Sequence, residues 1–448
     1  MKCQKIVSLL LSVCMLLCLA ACQKDTEQPQ EPENEDIIET EPDTESEEIT
    51  ENQPDTEITE DPVVNDTESV KILSLEKSLH TYYEWDDTSG KDMVRSEHSY
   101  VTVGQEDAEL YPEMAETFNQ IAAMQTRSME DEFDNLLSIA REELDANSDG
   151  FETCVSTLDV QVRRGDSVVI SLLTDSYSHY GQIENYRVFH GSNYDTQSGE
   201  ELTLDDVVKS VNNDLALAVE KELNDHTWTA DFYSEYAVQD YFANTPYDGF
   251  NWTIDYIGLT FYFSAGDLSD DGLTSATLAF AEYPELFNEK YMVAPAEYAI
   301  ELPLDISFFA ELDTDDDLEA ISVSGWYNDE RNHFMDYGIY TDTDGQYYYE
   351  ECYVYDLHPY YVKAADGNYV YLFCEDFEEG WRQMSLVVLS LNADGSVTKV
   401  GEMNVSPSWL ADNKFIVPTD PGKLILDDVD NGTEKIEFTV GNNGMPSK

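Results

Sequence analysis

The chain has 448 residues, of which 94 are acidic and 23 are basic, so its formal charge at pH 7 is −71. This excess of negative charge repels phosphate backbones and anionic lipid headgroups, which argues against nucleic acid as a partner and against an electrostatic membrane patch. Hydrophobic residues make up 42% of the chain. That content is enough for a core, so the sequence predicts a protein that is folded over most of its length.

The first 22 residues have the pattern of an export signal. Lys2 and Lys5 precede an apolar run over residues 6–17, which is too short for a stable membrane span. The run leads to Leu19-Ala20-Ala21-Cys22, which resembles the lipobox of bacterial lipoproteins. The resemblance implies that Cys22 becomes the lipidated N-terminus. The acyl chains would hold the protein on the extracytoplasmic face of the cell membrane, at a Gram-positive cell surface.

Residues 23–70 predict a disordered acidic tether. The segment contains 19 acids, one lysine and no aromatic residue. Such a composition buries too little apolar surface to offset the entropy of ordering the chain. Its like charges repel one another and extend it, so the tether would hold the folded part away from the membrane.

Residues 71–300 predict an α+β domain with an antiparallel sheet and amphipathic helices. Apolar residues recur at helical spacing from 108 to 146, with a break expected near residues 126–129 and an end at 147–150. Thr203 is a plausible N-cap for a helix reaching about residue 224, because acids follow it in the first turn. Alternating apolar residues predict strands at 70–75, 99–103, 154–163, 167–175, 186–194, 250–254, 258–263 and 274–280.

Three stretches of this region resemble a domain-of-unknown-function family: NYDTQSGEELTLDDVV at 193–208, WTI…GLTF within 252–261, and FAEYPELF at 280–287. The family forms the extracellular part of RsiV-type anti-sigma factors, which sense lysozyme. It also accompanies the catalytic domain of PdaC-type peptidoglycan deacetylases. The chain departs from the family at 177–182, where Gly181 and His179 stand in for a Gly-Gly-Ala-His stretch. The resemblance implies an extracellular domain that binds a ligand and is not catalytic.

Residues 301–448 predict an all-β meander, either a sandwich or a propeller-like sheet. Asp-Gly and Asn-Gly turns at 344, 366, 394 and 431 separate several strands, which is typical of hairpins. The predicted strands lie at 319–326, 335–340, 346–355, 368–374, 384–391 and 435–440.

One acidic loop in this region has the spacing of a calcium site. Alternate acids place several oxygens around one hard cation, which is what Ca²⁺ requires. The glycine that usually follows the third aspartate is Leu318 here, so an acidic turn without metal is the competing interpretation. The candidate ligands are Asp313, Asp315, Asp317 and Glu319.

Cys352 and Cys374 both fall on predicted strands. In an exported protein they are candidates for a disulfide, and buried free thiols are the alternative.

The sequence contains no motif that identifies a catalytic centre. It therefore favours a non-catalytic surface lipoprotein that binds an envelope or host ligand, with a cationic protein such as lysozyme as the natural candidate. The alternative is a cell-wall glycan hydrolase, or an accessory subunit of a peptidoglycan-modifying enzyme. In that case Asp205 or Asp206 would be the candidate acids, although both suit the first turn of a helix.

Overall fold

The computed structural model describes twelve stretches of the chain: 70–180, 186–226, 235–246, 249–264, 267–268, 274–313, 318–328, 331, 333–342, 345–378, 381–430 and 432–448. The export signal, Cys22 and all but the last residue of the predicted tether lie outside these described residues. Within them, no helix is long and apolar enough to cross a membrane.

The α+β class with a β-rich C-terminal part is confirmed. The helices are α1 (Gln105–Leu110), α2 (Pro112–Ala146), α3 (Leu204–Val207), α4 (Asn213–His226) and α5 (Glu235–Asn244). The strands up to residue 301 are β1 (Leu75–Asp86), β2 (Lys91–Val103), β3 (Cys154–Gly165), β4 (Val169–His179), β5 (Tyr186–Asp195), β6 (Trp252–Ile254), β7 (Gly258–Phe263), β8 (Thr274–Ala279) and β9 (Tyr298–Glu301). The later strands are β10 (Phe308–Ala310), β11 (Glu319–Asn328), β12 (His333–Thr341), β13 (Gln346–Val354), β14 (Asp356–Ala364), β15 (Gly367–Glu378), β16 (Trp381–Leu391), β17 (Val397–Met403), β18 (Val405–Pro407), β19 (Lys414–Ile416), β20 (Leu424–Asp428), β21 (Thr433–Val440) and β22 (Pro446–Ser447).

Helix α2 covers one face of a six-stranded sheet with the order β19-β1-β2-β3-β4-β5. It connects β2 to β3, and these two strands are parallel because the helix returns the chain to the same end of the sheet. The break predicted near residues 126–129 is wrong. The Thr126 hydroxyl donates to the Ala122 carbonyl oxygen at 2.9 Å, and Met129 is buried. No glycine or proline interrupts this segment, so the helix continues to Ala146.

The helix predicted from Thr203 to about residue 224 is divided in two. Thr203 caps α3 as expected, but α3 ends after one turn. Val208 then forms a β-bridge with Phe287, and the Lys209 amide donates to the Leu286 carbonyl. Those pairings hold the chain extended before α4 begins. Helices α3 to α5 and strands β6 to β8 share one hydrophobic cluster.

Both faces of the central five-stranded sheet, ordered β17-β16-β15-β14-β9, are buried. Alternate residues of a strand point to opposite faces. On β15, Val370 and Leu372 belong to the core shared with the sheet β10-β11-β12-β13. Tyr371 and Phe373 belong to a second core, which includes residues of the six-stranded sheet and of the sheet β18-β20-β21-β22. The C-terminal part therefore contains a sandwich, and one of its sheets is covered on the other face as well.

The region before residue 300 and the region after it share sheets and cores. Residue 300, where the sequence analysis places a boundary, lies inside β9, which pairs with β14. In the same way, β19 pairs with β1 along the edge of the six-stranded sheet. Strands from before and after residue 300 are therefore hydrogen-bonded to one another in two of the sheets.

Arg164 joins the six-stranded sheet to the segments around it. Its side chain is fully buried, and its Nε donates to the Asp166 carboxylate at 2.7 Å. Its two terminal nitrogens donate to the carbonyl oxygens of Asp255, Tyr291 and Val293. A planar guanidinium can serve several acceptors at fixed angles, which an ammonium group cannot do. The sheet, the β6–β7 hairpin and the chain leading to β9 are held together at this residue.

Candidate functional site

A group of charged side chains lies where the six-stranded sheet faces the edge of the central sheet. We call it the charged recess, and define it as Lys77, Asp159, Glu301, Asp356, His358 and Glu375. Lys77 and Asp159 come from β1 and β3 of the first sheet, while the other four come from β9, β14 and β15 of the second. Contacts between the two sets define its geometry.

The floor of the charged recess is an ion pair. The Lys77 Nζ lies 2.6 Å from the Glu301 carboxylate and 3.3 Å from that of Asp159. The other Glu301 oxygen accepts the Val162 amide at 3.0 Å, and Asp159 also accepts the Ser99 hydroxyl at 3.0 Å. Burial alone would lower the pKa of Lys77, but the two carboxylates outweigh it and raise that pKa. Lys77 is therefore charged throughout the physiological pH range.

The rim of the charged recess reaches solvent. Asp159 and Asp356 keep 40% and 42% of their side-chain surface exposed, whereas Glu375 keeps 4%. Even so, burial is the largest influence on the carboxyl of Asp356, and it raises the pKa of that group. The Asp356 carboxylate is thus partly exposed to solvent, with protein on its other sides.

His358 is the second cation of the charged recess. Its Nε2 lies 3.5 Å from the Glu375 carboxylate and 3.7 Å from that of Asp356. Burial would lower the pKa of His358, but Asp356 and Glu375 outweigh it and raise it to about 9. His358 in turn helps Lys77 to lower the pKa of Asp159, against the effect of burial. The imidazole is therefore protonated at neutral pH, and its field reaches across the gap between the two sheets.

An ion pair and a hydrogen bond lie at the two ends of the charged recess. Near β4 and β5, the guanidinium of Arg187 binds both oxygens of Asp175, at 3.0 and 2.7 Å. At the other end, Arg95 donates to the Tyr355 hydroxyl at 3.4 Å. Both arginines have carboxylate or hydroxyl neighbours already. Asp159 and Asp356 also have partners within the charged recess, and they keep about two-fifths of their side-chain surface exposed, at 40% and 42%.

Four carboxylates and two cations form the charged recess, so its net charge is negative. This arrangement suits a positively charged group such as an ammonium or a guanidinium. Among the described residues, no group of three or more His, Cys, Asp or Glu side chains is arranged to hold a metal ion.

The sequence did not predict the charged recess, because the burial of the polar residues on β3 is seen only in the structure. Along Val160-Gln161-Val162-Arg163, apolar and polar residues alternate, and both kinds are buried. A strand with buried polar residues on one face has a polar partner across that face. The sequence does not reveal that this partner comes from β9, β14 and β15.

The predicted calcium loop is described only at its ends. Asp313 and Glu319 lie within the described residues, whereas Asp315 and Asp317 lie outside them. Glu319 accepts the Leu312 amide at 2.8 Å, and burial raises the pKa of its carboxyl. One of the four proposed ligands thus already accepts a hydrogen bond from the backbone on the other side of the loop. Calcium binding at this loop stays a prediction.

Cys352 and Cys374 are both free thiols in the structure. They point into the core between the two sheets of the sandwich, where Cys374 is buried and Cys352 is half-buried. Burial raises the pKa of Cys352 to about 11 and that of Cys374 to about 12. Pairing of Cys352 with Cys374 in the exported protein stays a prediction.

Asp205, Asp206 and His179 each contact residues close to them and lie outside the charged recess. Asp206 accepts the Thr203 amide at 2.8 Å, and the Thr203 hydroxyl donates to Asp205 at 2.6 Å, so both acids serve the N-terminus of α3. The Nε2 of His179 lies 3.1 Å from Glu152, outside the charged recess. Both acids lie in the first turn of α3, as the sequence predicted.

Two solved structures are similar to part of the chain. One, from Bacteroides fragilis NCTC 9343, is a member of the DUF3298 family; the match covers 50% of this chain and 97% of that one, at 12% identity and a TM-score of 0.36. The other is a DUF3298 family protein from Pseudomonas aeruginosa PAO1, covered at 50% and 97%, with 13% identity and a TM-score of 0.32. Both neighbours thus belong to a domain-of-unknown-function family. No protein-family model and no curated protein matches the sequence.

Proposed function

We propose that this protein is a non-catalytic lipoprotein of the extracytoplasmic face, and that it binds a cationic protein such as lysozyme. The Leu19-Ala20-Ala21-Cys22 ending of the export signal supports a lipid anchor at Cys22. The acidic tether would then hold the binding domain above the membrane.

The charged recess is the observation that carries the binding proposal. Asp159 and Asp356 are exposed at its rim, and the four carboxylates outnumber the two cations. A lysine or arginine side chain of a basic ligand would pair with these two partly exposed carboxylates. The formal charge of −71 would also speed the encounter with a basic protein and disfavour acidic ones.

Calorimetric titration with hen lysozyme at about 0.15 M salt tests the proposal, since that salt screens long-range attraction. In the test variant, Asp159→Asn is combined with Asp356→Asn, which keeps the shape of both side chains. The matched control combines Glu285→Gln with Glu289→Gln, two exposed acids outside the charged recess. We expect the test variant to weaken binding about tenfold and the control less than twofold.

Three results would contradict parts of the proposal. Equal losses in the two variants would mean that lysozyme responds only to net charge. Absence of binding by the wild-type protein would reject lysozyme as a ligand, and turnover of purified peptidoglycan would reject a non-catalytic role. The anchor is tested separately, because Cys22→Ser should move the protein from the membrane fraction to the medium.

A further inference from the structure

Exposed aromatic rings form a row on the outer face of the sheet β10-β11-β12-β13. We call it the tyrosine face, and define it as Trp326, Asp336, Tyr347, Tyr349, Glu351 and Tyr353. Its four aromatic side chains are 58%, 59%, 50% and 52% exposed, in the order Trp326, Tyr347, Tyr349 and Tyr353. Large aromatic residues that are at least half exposed, and that share one surface, are typical of binding sites.

The strand register places these residues side by side. Tyr347, Tyr349 and Glu351 alternate along β13 and therefore share a face. Tyr353 lies where the register between β12 and β13 shifts, and it is exposed as well. Across the sheet, Glu351 is paired with Asp336 of β12, and Asp336 is paired with Trp326 of β11. Opposite residues of neighbouring strands project from the same face. The tyrosine face thus extends along β13 and across two further strands.

The absence of a side chain at Gly338 lets the ring of Tyr347 lie flat on the sheet. A side chain at Gly338 would overlap the ring of Tyr347, which lies against the glycine backbone. The rings of Tyr347 and Tyr349 have centroids 6.4 Å apart and planes inclined by 31°. At the far end, the ring of Tyr353 stacks on His333 with centroids 4.1 Å apart. The rings are held in place by their neighbours while at least half of their surface stays exposed.

Acids are interleaved with the rings. The Tyr349 hydroxyl donates to the Asp336 carboxylate at 3.2 Å, and Glu351 is exposed between Tyr349 and Tyr353. A surface of this kind offers apolar ring faces and hydrogen-bond acceptors in turn. An uncharged sugar ring presents the matching surface, since its C–H groups stack on an aromatic ring and its hydroxyls donate to carboxylates.

We propose that the tyrosine face binds an extended, uncharged polysaccharide chain with β-linked pyranose rings. Such a chain is flat, and its successive rings can stack on the neighbouring rings of Tyr347 and Tyr349. A polymer with phosphate or sulfate groups would be repelled by a protein of formal charge −71. The proposal concerns a different surface from the charged recess, so it does not depend on the cationic ligand.

The test uses chitotetraose, the tetramer of β-linked N-acetylglucosamine, as the probe in calorimetric titration. Tyr347→Ala combined with Tyr349→Ala removes two rings from the tyrosine face, and Tyr347→Phe combined with Tyr349→Phe keeps both rings without their hydroxyls. Tyr83→Ala is the matched control, because Tyr83 is 54% exposed on β1. All of these residues are at least half exposed, so thermal unfolding is expected to change little among the variants.

We expect the alanine pair to weaken binding of chitotetraose about fivefold to tenfold, with at most a twofold effect for the phenylalanine pair and for Tyr83→Ala. Sedimentation with insoluble chitin, an uncharged polymer of the same sugar, should follow the same order. The proposal is overturned if the wild-type protein binds neither probe, or if the alanine pair binds as well as the wild type. It is also overturned if the alanine pair loses lysozyme binding alone, because the tyrosine face would then serve a protein ligand.

Discussion

The ammonium group of Lys77 lies 2.6 Å from the carboxylate of Glu301, a residue 224 positions later in the chain. Both side chains are 3% exposed. The pair joins β1 of the six-stranded sheet to β9 of the central sheet. A charge that is removed from water in this way needs its partner, since an uncompensated buried charge is far less stable.

Lys77→Met should therefore destabilise the protein by about 3 kcal/mol, because Glu301 would be left without its counter-ion. Urea unfolding followed by circular dichroism measures the change. Adding Glu301→Gln to Lys77→Met should recover part of the loss. Lys399→Met is the control, since Lys399 and its partner Glu350 are about one-third exposed. It should cost less than about 1 kcal/mol. Equal costs for the two lysines would show that burial of the Lys77 pair is unimportant.

Much of the local structure could be predicted from the sequence, because alternation and helical periodicity are local signals. Strands β3, β4 and β5 lie within a few residues of the predicted positions, and α2 ends where Asn147 caps it. Strand β14 was missed because Pro359 lies within it and lacks an amide to donate. The charged recess could not be predicted, since Lys77 and Glu301 meet only through the pairing of distant strands. The tyrosine face depends on register in the same way.

The charge on His358 should make stability depend on pH. Its pKa of about 9 in the folded protein exceeds the ordinary value of 6.5, so folding favours its protonated form. The resulting stabilisation is complete below about pH 6.5 and is lost as the pH rises through about 9. His358→Gln removes this contribution. The wild type should exceed the variant in free energy of unfolding by about 2 kcal/mol at pH 6, and the difference should shrink towards pH 10.

His179→Gln gives the comparison for that experiment, because His179 lies beside Glu152 and outside the charged recess. Comparing each variant with the wild type at the same pH cancels the titration of groups that all the proteins share. A difference between wild type and His358→Gln that stays constant from pH 6 to pH 10 would show that His358 is not held protonated by Asp356 and Glu375.

Gly191 allows β5 and β6 to approach closely. A side chain at this position would overlap the carbonyl oxygen of Trp252, and the Gly191 amide donates to the Asn251 side chain at 2.7 Å. Gly191→Ala should therefore force the strands apart and cost about 2 kcal/mol. At Gly422 an added methyl group would meet only the side chain of Asp420. Gly422→Ala should change the stability by less than about 0.5 kcal/mol, and thermal unfolding of both variants measures the contrast.

The thiols at Cys352 and Cys374 should be slow to react in the folded protein. Burial raises their pKa values to about 11 and 12, so almost none of either thiol is ionised at pH 8. Cys154 is also buried. In the mature chain carrying Cys22→Ser, Ellman's reagent should therefore label little in buffer, and should label Cys154, Cys352 and Cys374 in urea without reductant. If Cys154 alone reacts in urea until a reductant is added, Cys352 and Cys374 are paired as a disulfide. Rapid labelling in buffer would instead mean that the core between the sheets of the sandwich opens readily, because only the thiolate of an accessible cysteine attacks the reagent.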